Sequence, residues 1–201
     1  MEPRWTLTGG AALAGFHLAH RTTRELDLFW NGAVVLGDVD RRLITALRAD
    51  GLTVETAQRF EGFAELSVSD GTETLKVDLV ADPTARAEAP TLHDLDGVAV
   101  SIDTPREILA NKLTTLLSRT EARDLIDVRA LLASGLDLDQ GLRDAPLKDG
   151  GFSPTVLAWV LQGTNASAVL RASGLSDDEA RDLLVWRTEF IATLVRGSTP
   201  P

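Results

Sequence analysis

LTGGAALAGFHLAHRTTRELDLF, residues 7–29, is the stretch that organises the first half of the chain. A double glycine follows a short extended segment, and apolar residues then recur at helical spacing, which predicts a helix over Gly10–His20. Glu25 and Asp27 alternate with leucines, as in a short strand with one buried face. Because alternate strand residues point the same way, both carboxylates should lie on one side of a sheet.

Further elements of an α+β fold follow this stretch. An amphipathic helix is predicted over 38–50, with Asp38 as its N-cap. Strands are predicted at 52–54, 63–68, 74–80 and 98–102, and Asp70-Gly71 is a hairpin signal between the second and third of them. The stretch 83–90 is rich in Ala, Pro and charge and is predicted to be a loop.

The second half of the chain has the pattern of a helical lobe. Helices are predicted at 105–118, 121–133, 154–163 and 165–172, and Ser176 and Glu179 predict a capping box for a last helix. We therefore expect two domains, an α+β core over 1–102 with a mixed sheet and flanking helices, and a helical lobe over 103–201.

Composition excludes several classes of protein. The 201 residues are 44% hydrophobic and 25% charged, the balance of a globular protein, and no stretch is long and apolar enough to cross a bilayer. The absence of cysteine excludes disulfide scaffolds, thiol nucleophiles and thiolate metal sites. We expect a cytoplasmic protein with no membrane partner. With a formal net charge of −10, it should bind any polyanion through a local patch.

Three carboxylates are candidates for a metal site. Glu25 and Asp27 share a strand face, and Asp78 lies between apolar neighbours on a later strand of the same predicted sheet. Clustered carboxylates repel one another unless cations neutralise them, and hard oxygen ligands without cysteine suit Mg²⁺ or Mn²⁺. Two such ions can activate a hydroxyl and bind a triphosphate during phosphoryl or nucleotidyl transfer.

A phosphate cradle is predicted nearby, at Thr8-Gly9-Gly10. Glycines let the backbone approach an anion closely, and the following helix presents free N–H groups to it. Arg21 and Thr22, at the end of that helix, are candidates for nucleotide contact. A cation at a helix C-terminus also has an ordinary dipole explanation, so both interpretations of Arg21 stay open.

A second group of charges lies in the predicted helical lobe. Only three of the 20 basic residues are lysines, and one of them, Lys112, lies between apolar residues. On a continuous helix Lys112, Arg119 and Arg123 would share one face, where they would meet phosphates. Asp124 and Asp127 would lie beside that face, where an aspartate could orient Lys112 or accept a proton from an attacking hydroxyl. A salt-bridge network is the alternative interpretation.

The order of these motifs resembles the nucleotidyltransferase superfamily of DNA polymerase β type. The segments LTGGAAL (7–13), HRT (20–22) and ELDLF (25–29) are similar to the opening of the AbiEii/AbiGii toxin family. The segments KLTTLLSR (112–119) and RDLID (123–127) are similar to that family's helical motif. The resemblance implies a nucleotidyltransferase-like fold. It further implies that Asp27 and Asp78 bind metal, that Gly9 and Gly10 line the triphosphate, and that Lys112 contacts nucleotide phosphate. This chain departs from the family at Glu25, where an aspartate is usual.

The expected function is transfer of an NMP from an NTP to a hydroxyl acceptor, with release of pyrophosphate. The resemblance implies the toxin of a toxin–antitoxin or phage-abortive system, with a tRNA end or a protein as acceptor and a cognate antitoxin as partner. The alternatives are a non-catalytic nucleotide-binding or partner-binding relative and a small-molecule adenylyltransferase of the antibiotic-modifying type. An RNA acceptor should meet a basic strip of Arg21, Arg24, Lys112, Arg119 and Arg123. If Lys112 binds phosphate, its replacement by alanine should abolish transfer and leave the thermal midpoint nearly unchanged.

Overall fold

A computed structural model describes residues 4–165 and 174–197. The chain divides into two units, residues 1–104 and 105–201. The first unit combines strands with helices, and the described part of the second contains helices and no strands.

The first unit contains a seven-stranded mixed sheet. Its strands are β1 (Thr6–Thr8), β2 (Glu25–Asn31), β3 (Thr53–Arg59), β4 (Phe63–Ser69), β5 (Thr74–Asp82), β6 (Thr91–Leu95) and β7 (Val98–Ile102). They lie in the order β3-β4-β5-β2-β1-β7-β6. The β2/β5 and β1/β7 pairs are parallel, and the other neighbours are antiparallel. The predicted mixed sheet is confirmed.

One face of this sheet carries the apolar core of the unit. The buried side chains at its centre include Leu66 of β4 and Val77 and Leu79 of β5. The helix α2 (Val39–Ala49) packs its apolar side against them, through residues that include Leu43. Since successive strand residues point to opposite faces, the residues between these core positions must point away from the core.

The helix after the double glycine differs from the regular helix that the sequence predicts. A short α-helix, α1 (Gly9–Ala12), continues as a π-helix over Leu13–Leu18. The helix ends at Ala19, whose φ of 49° lies in the left-handed region. Beyond this turn, the chain passes through Arg21 and Thr22 into β2.

Two expectations for this unit are corrected. The strand β6 was not predicted, because it is an edge strand whose residues are mostly exposed, so no buried alternation marks it. Asp38 occupies the N-cap position of α2, but its side chain makes no capping hydrogen bond. The buried Asp40 anchors that end of α2 instead, because it accepts hydrogen bonds from Arg59 Nε at 2.6 Å and from an η nitrogen of Arg59 at 3.3 Å.

Helices make up most of the described part of the second unit. Its α-helices are α3 (Pro105–Ser118), α4 (Ala122–Ala133), α5 (Leu138–Asp144), α6 (Pro154–Gly163) and α7 (Asp177–Gly197), with a 3₁₀ turn at Ala145–Leu147. The predicted bounds of α3, 105–118, and of α6, 154–163, are confirmed. The short α5 was not predicted, because its seven residues are mostly polar and only Gly141 and Asp144 are buried.

The capping box predicted for the last helix is present. The backbone N–H of Ser176 donates to Glu179 Oε2 at 2.9 Å, and the N–H of Glu179 donates back to Ser176 Oγ at 3.4 Å. Of the helix predicted at 165–172, residues 166–172 lie outside the described residues. No helix within the described ranges is long and apolar enough to cross a membrane.

Candidate active site

The face of the sheet opposite the core carries a cluster of charged side chains. In the parallel β2/β5 pair, Glu25 lies opposite Lys76 and Asp27 lies opposite Asp78. In the antiparallel β4/β5 pair, Glu65 lies opposite Asp78. These positions differ by two along their strands, so all five side chains project from one face. The register therefore brings together the three carboxylates that the sequence predicts as a group.

Lys76 lies at the centre of three of these carboxylates. Its Nζ is 3.0 Å from Glu65 Oε2 and 3.2 Å from Asp78 Oδ2. Glu25 Oε1 lies further away, at 3.9 Å. The lysine side chain is 33% exposed, so it is partly accessible to solvent. We call Lys76, Glu25, Glu65, Asp27 and Asp78 the carboxylate cluster.

Burial and the neighbouring Lys76 act on the pKa of Asp78 in opposite directions. Burial raises the pKa of the Asp78 carboxyl and prevails over Lys76, which lowers it. Burial also disfavours the charge of Lys76, but the hydrogen bonds to Glu65 and Asp78 prevail and raise the pKa of its ammonium. Asp78 Oδ1 is buried without a hydrogen-bond partner. An unpartnered buried carboxylate oxygen is costly unless a ligand completes it.

The double glycine lies directly against this cluster. A Cβ placed on Gly9 would lie 2.1 Å from Asp27 Oδ2, and its φ of +62° is also unfavourable for other residues. A Cβ on Gly10 would lie 2.4 Å from a guanidinium nitrogen of Arg21. The two glycines therefore bring the backbone against a carboxylate and a cation, which a side chain at either position would displace.

Two hydroxyl residues border the glycines and Arg21. Thr8 lies opposite Asp27 in the β1/β2 ladder, and its Oγ1 is buried without a hydrogen-bond partner. The backbone carbonyl of Thr22 accepts a hydrogen bond from Arg21 at 3.1 Å. Thr8 thus offers an unused hydroxyl beside Asp27, whereas Thr22 holds the arginine through its backbone.

A cleft of ≈ 380 Å³ opens beside the carboxylate cluster. Its lining includes Arg24, Glu25, Glu65, Ser67, Thr74 and Lys76. Ala57 also lines it, at the point where the β3/β4 register shifts between Thr56 and Gln58. The cleft gives solvent and small molecules access to the charged face of the sheet.

In the helical unit, Lys112 is buried between two aspartates. Its Nζ donates a hydrogen bond to Asp124 Oδ1 at 2.7 Å and lies 2.8 Å from Asp127 Oδ2. Both aspartate side chains are fully buried, and that of Lys112 is 10% exposed. The lysine is therefore an element of a buried ion triad as well as a candidate nucleotide ligand.

The two predicted arginines lie at the edge of this triad. Arg119 Nε is 3.4 Å from Asp124 Oδ2, and Arg123 Nε is 2.6 Å from Glu121 Oε2. The side chain of Arg119 is half exposed and that of Arg123 is 32% exposed. Both the salt-bridge interpretation and a phosphate contact are compatible with this arrangement, because each side chain reaches solvent.

Comparison with known proteins identifies the family. The family described as "Nucleotidyl transferase AbiEii toxin, Type IV TA system" matches residues 1–189. The chain belongs to the AbiEii nucleotidyltransferase toxin family. No curated protein matches it.

Solved structures share the fold of this AbiEii family member. JHP933 from Helicobacter pylori has 21% identity and a TM-score of 0.53, and the match covers 98% of this chain and 88% of the other. A putative nucleotidyltransferase from H. pylori has 20% identity and a TM-score of 0.50, covering 99% and 91%. MenT4, a nucleotidyltransferase toxin of Mycobacterium tuberculosis, has 15% identity and a TM-score of 0.64, covering 94% and 75%.

Membership of the AbiEii family implies an NTP substrate and usually a divalent metal ion. The side chains of the site should therefore be able to hold such an ion. Within residues 4–165 and 174–197, no group of three or more His, Asp or Glu side chains could hold a metal ion. Asp27 and Asp78 nevertheless lie opposite each other in the β2/β5 ladder, and Asp78 Oδ1 lacks a hydrogen-bond partner. Their oxygen donors suit Mg²⁺ or Mn²⁺. The residues fit a divalent ion held by two aspartates.

Lys76 and Glu65 are not among the site residues predicted from the sequence. Lys76 lies two residues before Asp78, so strand alternation alone places its side chain on the carboxylate face. It is also one of only three lysines in the chain. Glu65 has no comparable signal, because its approach to Lys76 depends on the register of the β4/β5 hairpin.

Proposed function

We propose that this member of the AbiEii family transfers an NMP from an NTP to a hydroxyl acceptor, in a reaction that requires Mg²⁺ or Mn²⁺. The observation that carries the proposal is the opposed pair Asp27 and Asp78, with Gly9 packed against the first and an unpartnered oxygen on the second. A divalent ion held by these aspartates would supply Lewis-acid activation of the phosphate and of the attacking hydroxyl.

The backbone at Thr8, Gly9 and Gly10 would cradle the triphosphate. The absence of side chains on the glycines lets phosphate oxygens approach the N–H groups of α1, and the unused Thr8 hydroxyl can donate to the same anion. Arg21, held over Gly10, supplies positive charge beside that position. These groups would hold the α-phosphate while the acceptor oxygen bonds to it and the bond to pyrophosphate breaks.

The roles proposed for the helical unit follow from the buried triad. Asp124 and Asp127 hold the Lys112 ammonium in a fixed position. An ammonium that is already ordered loses little rotamer entropy when it meets a phosphate. Arg119 and Arg123 would add partly exposed positive charge for the nucleotide or the acceptor.

Transfer of labelled NMP tests this function. Each α-labelled NTP is incubated with the protein, Mg²⁺ or Mn²⁺, and either a tRNA pool, a cell protein extract or a panel of small hydroxyl compounds. We expect label in the tRNA or protein fraction, and loss of that label in Asp27→Asn and Asp78→Asn. Asp50→Asn is the matched control, because Asp50 is exposed at the end of α2. Equal incorporation by Asp27→Asn would contradict the proposal.

The toxin role is proposed on the strength of family membership. Expression of the wild-type chain should arrest bacterial growth, and expression of Asp27→Asn should not. Co-expression of an adjacent gene that relieves the arrest would identify an antitoxin. Normal growth with active, expressed protein would contradict a toxin role while leaving the transferase proposal intact.

A non-catalytic relative is the second candidate, and one observation favours it. Glu25 stands where the family usually has aspartate, and its Oε1 lies 3.9 Å from the Lys76 ammonium. This alternative predicts NTP binding without product in the wild type and in Glu25→Asp alike, whereas transfer by either form excludes it.

A further inference from the structure

The ammonium of Lys76 lies among the carboxylates of Glu25, Glu65 and Asp78, where a metal cation would otherwise be attracted. We propose that its ammonium is the resident cation of the carboxylate cluster, so that only one divalent ion binds there, at Asp27 and Asp78. The inference rests on the proposed function, because it concerns the metal of that same site.

Charge balance on this face of the sheet is the first argument. Glu25, Glu65, Asp27 and Asp78 place four carboxylates on three adjacent strands. Like charges so placed on neighbouring strands are destabilising unless a cation lies between them. Lys76 fills that position, with distances of 3.0, 3.2 and 3.9 Å from Nζ to Glu65, Asp78 and Glu25. One cation is therefore present before any metal binds.

The two oxygens of Asp78 are the second argument. Oδ2 faces the Lys76 ammonium at 3.2 Å, whereas Oδ1 is buried and has no hydrogen-bond partner. A lysine and a metal ion can therefore use different oxygens of the same carboxylate. Lys76 does not have to leave when an ion binds Oδ1.

The ladder register is the third argument. Glu25 lies opposite Lys76, and Asp27 lies opposite Asp78, so the β2/β5 pair presents one charge-neutral pair and one pair of aspartates. The longer Glu25 side chain belongs to the first pair, and its Oε1 approaches the lysine. Glu25 is thus assigned to Lys76, and the aspartates of the second pair are the ligands of the single ion.

Counting bound Mn²⁺ by electron paramagnetic resonance, without nucleotide, tests the inference. We expect one ion per chain in the wild type and two in Lys76→Met, because the lysine charge no longer offsets the carboxylates of Glu65 and Asp78. Lys76→Arg keeps the charge and should bind one ion. Arg42→Met loses the same charge from α2, where the Arg42 side chain is 59% exposed, and should also bind one. Zero or two ions in the wild type, or one in Lys76→Met, would overturn the inference.

The two failures are distinguishable. If the wild type binds two ions and transfers NMP in an Asp27-dependent manner, the inference fails and the proposed function stands. If Asp27→Asn retains full transfer, the proposed function fails whatever the ion count.

Discussion

Replacement of Lys112 by methionine should destabilise the helical unit strongly. The substitution keeps the length of the side chain and removes the ammonium that lies 2.7 and 2.8 Å from the carboxylates of Asp124 and Asp127. Both aspartate side chains are fully buried, so water cannot replace the lost partner. Removing one partner of a buried ion pair costs about 3–5 kcal/mol. The buried triad thus leads to a different prediction from the sequence, which predicts a nearly unchanged thermal midpoint for Lys112→Ala if Lys112 binds phosphate.

The size of the effect can be measured by urea and thermal unfolding. For a protein of this length, each kcal/mol shifts the midpoint by about 2–4 °C, so Lys112→Met should lower it by about 6–20 °C. Tryptophan fluorescence and circular dichroism report the transition. Arg129→Met is the matched control, because Arg129 is exposed on the same helix as both aspartates, and its change should stay within about 0.5 kcal/mol.

A triple variant separates charge from packing. Lys112→Met combined with Asp124→Asn and Asp127→Asn removes the unpaired charges together with the lysine, and should recover part of the stability lost in Lys112→Met. A loss below about 1 kcal/mol for Lys112→Met alone would refute the reasoning, because a cost that small is typical of exposed ion pairs. A triple variant less stable than the single one would also contradict the explanation.

Three further predictions concern other parts of the chain. Asp40→Asn should cost about 1.5–3 kcal/mol in urea unfolding, because its charged hydrogen bonds to an arginine are lost. Those bonds lower the pKa of Asp40 in the folded state, so their stabilising contribution is full above the unfolded pKa of about 3.9 and is lost as pH falls through the folded pKa. The variant should lack this pH-dependent part of the stability. Gly9→Ala should reduce NMP transfer by about 100-fold, because the added methyl group displaces Asp27. Gly71→Ala is the control: its φ is +92° and the space around it is open, so it should alter stability alone. Equal activity of the two variants would contradict the packing of Gly9 against Asp27. If the acceptor is RNA, its binding should weaken with salt. In filter-binding assays, Arg119→Ala should reduce the slope of the logarithm of the binding constant against the logarithm of salt concentration by about 0.7. An unchanged slope would show that Arg119 does not contact the RNA.

Much of the fold follows from local sequence signals. Alternation in β2 and β5 identified both strands and placed Asp27 and Asp78 on their charged faces. The capping box at Ser176 marked the start of α7, and the double glycine marked the end of β1. These signals work at short range, because strand alternation and helix capping involve residues at most four positions apart. The order of these motifs along the chain also gives the resemblance to the AbiEii family.

The partners of the charged residues were decided by the tertiary structure. Lys76 lies near Glu65 because β4 and β5 pair in a particular register, and a shift of one residue would send one of these side chains to the core face. Lys112 is buried because α3 and α4 pack together, so that Asp124 and Asp127 close around its ammonium. The sequence alone determined which charged groups share a strand or a helix. Only the packing of distant segments decided which of them neutralise one another, because burial and cross-strand register are properties of the assembled fold.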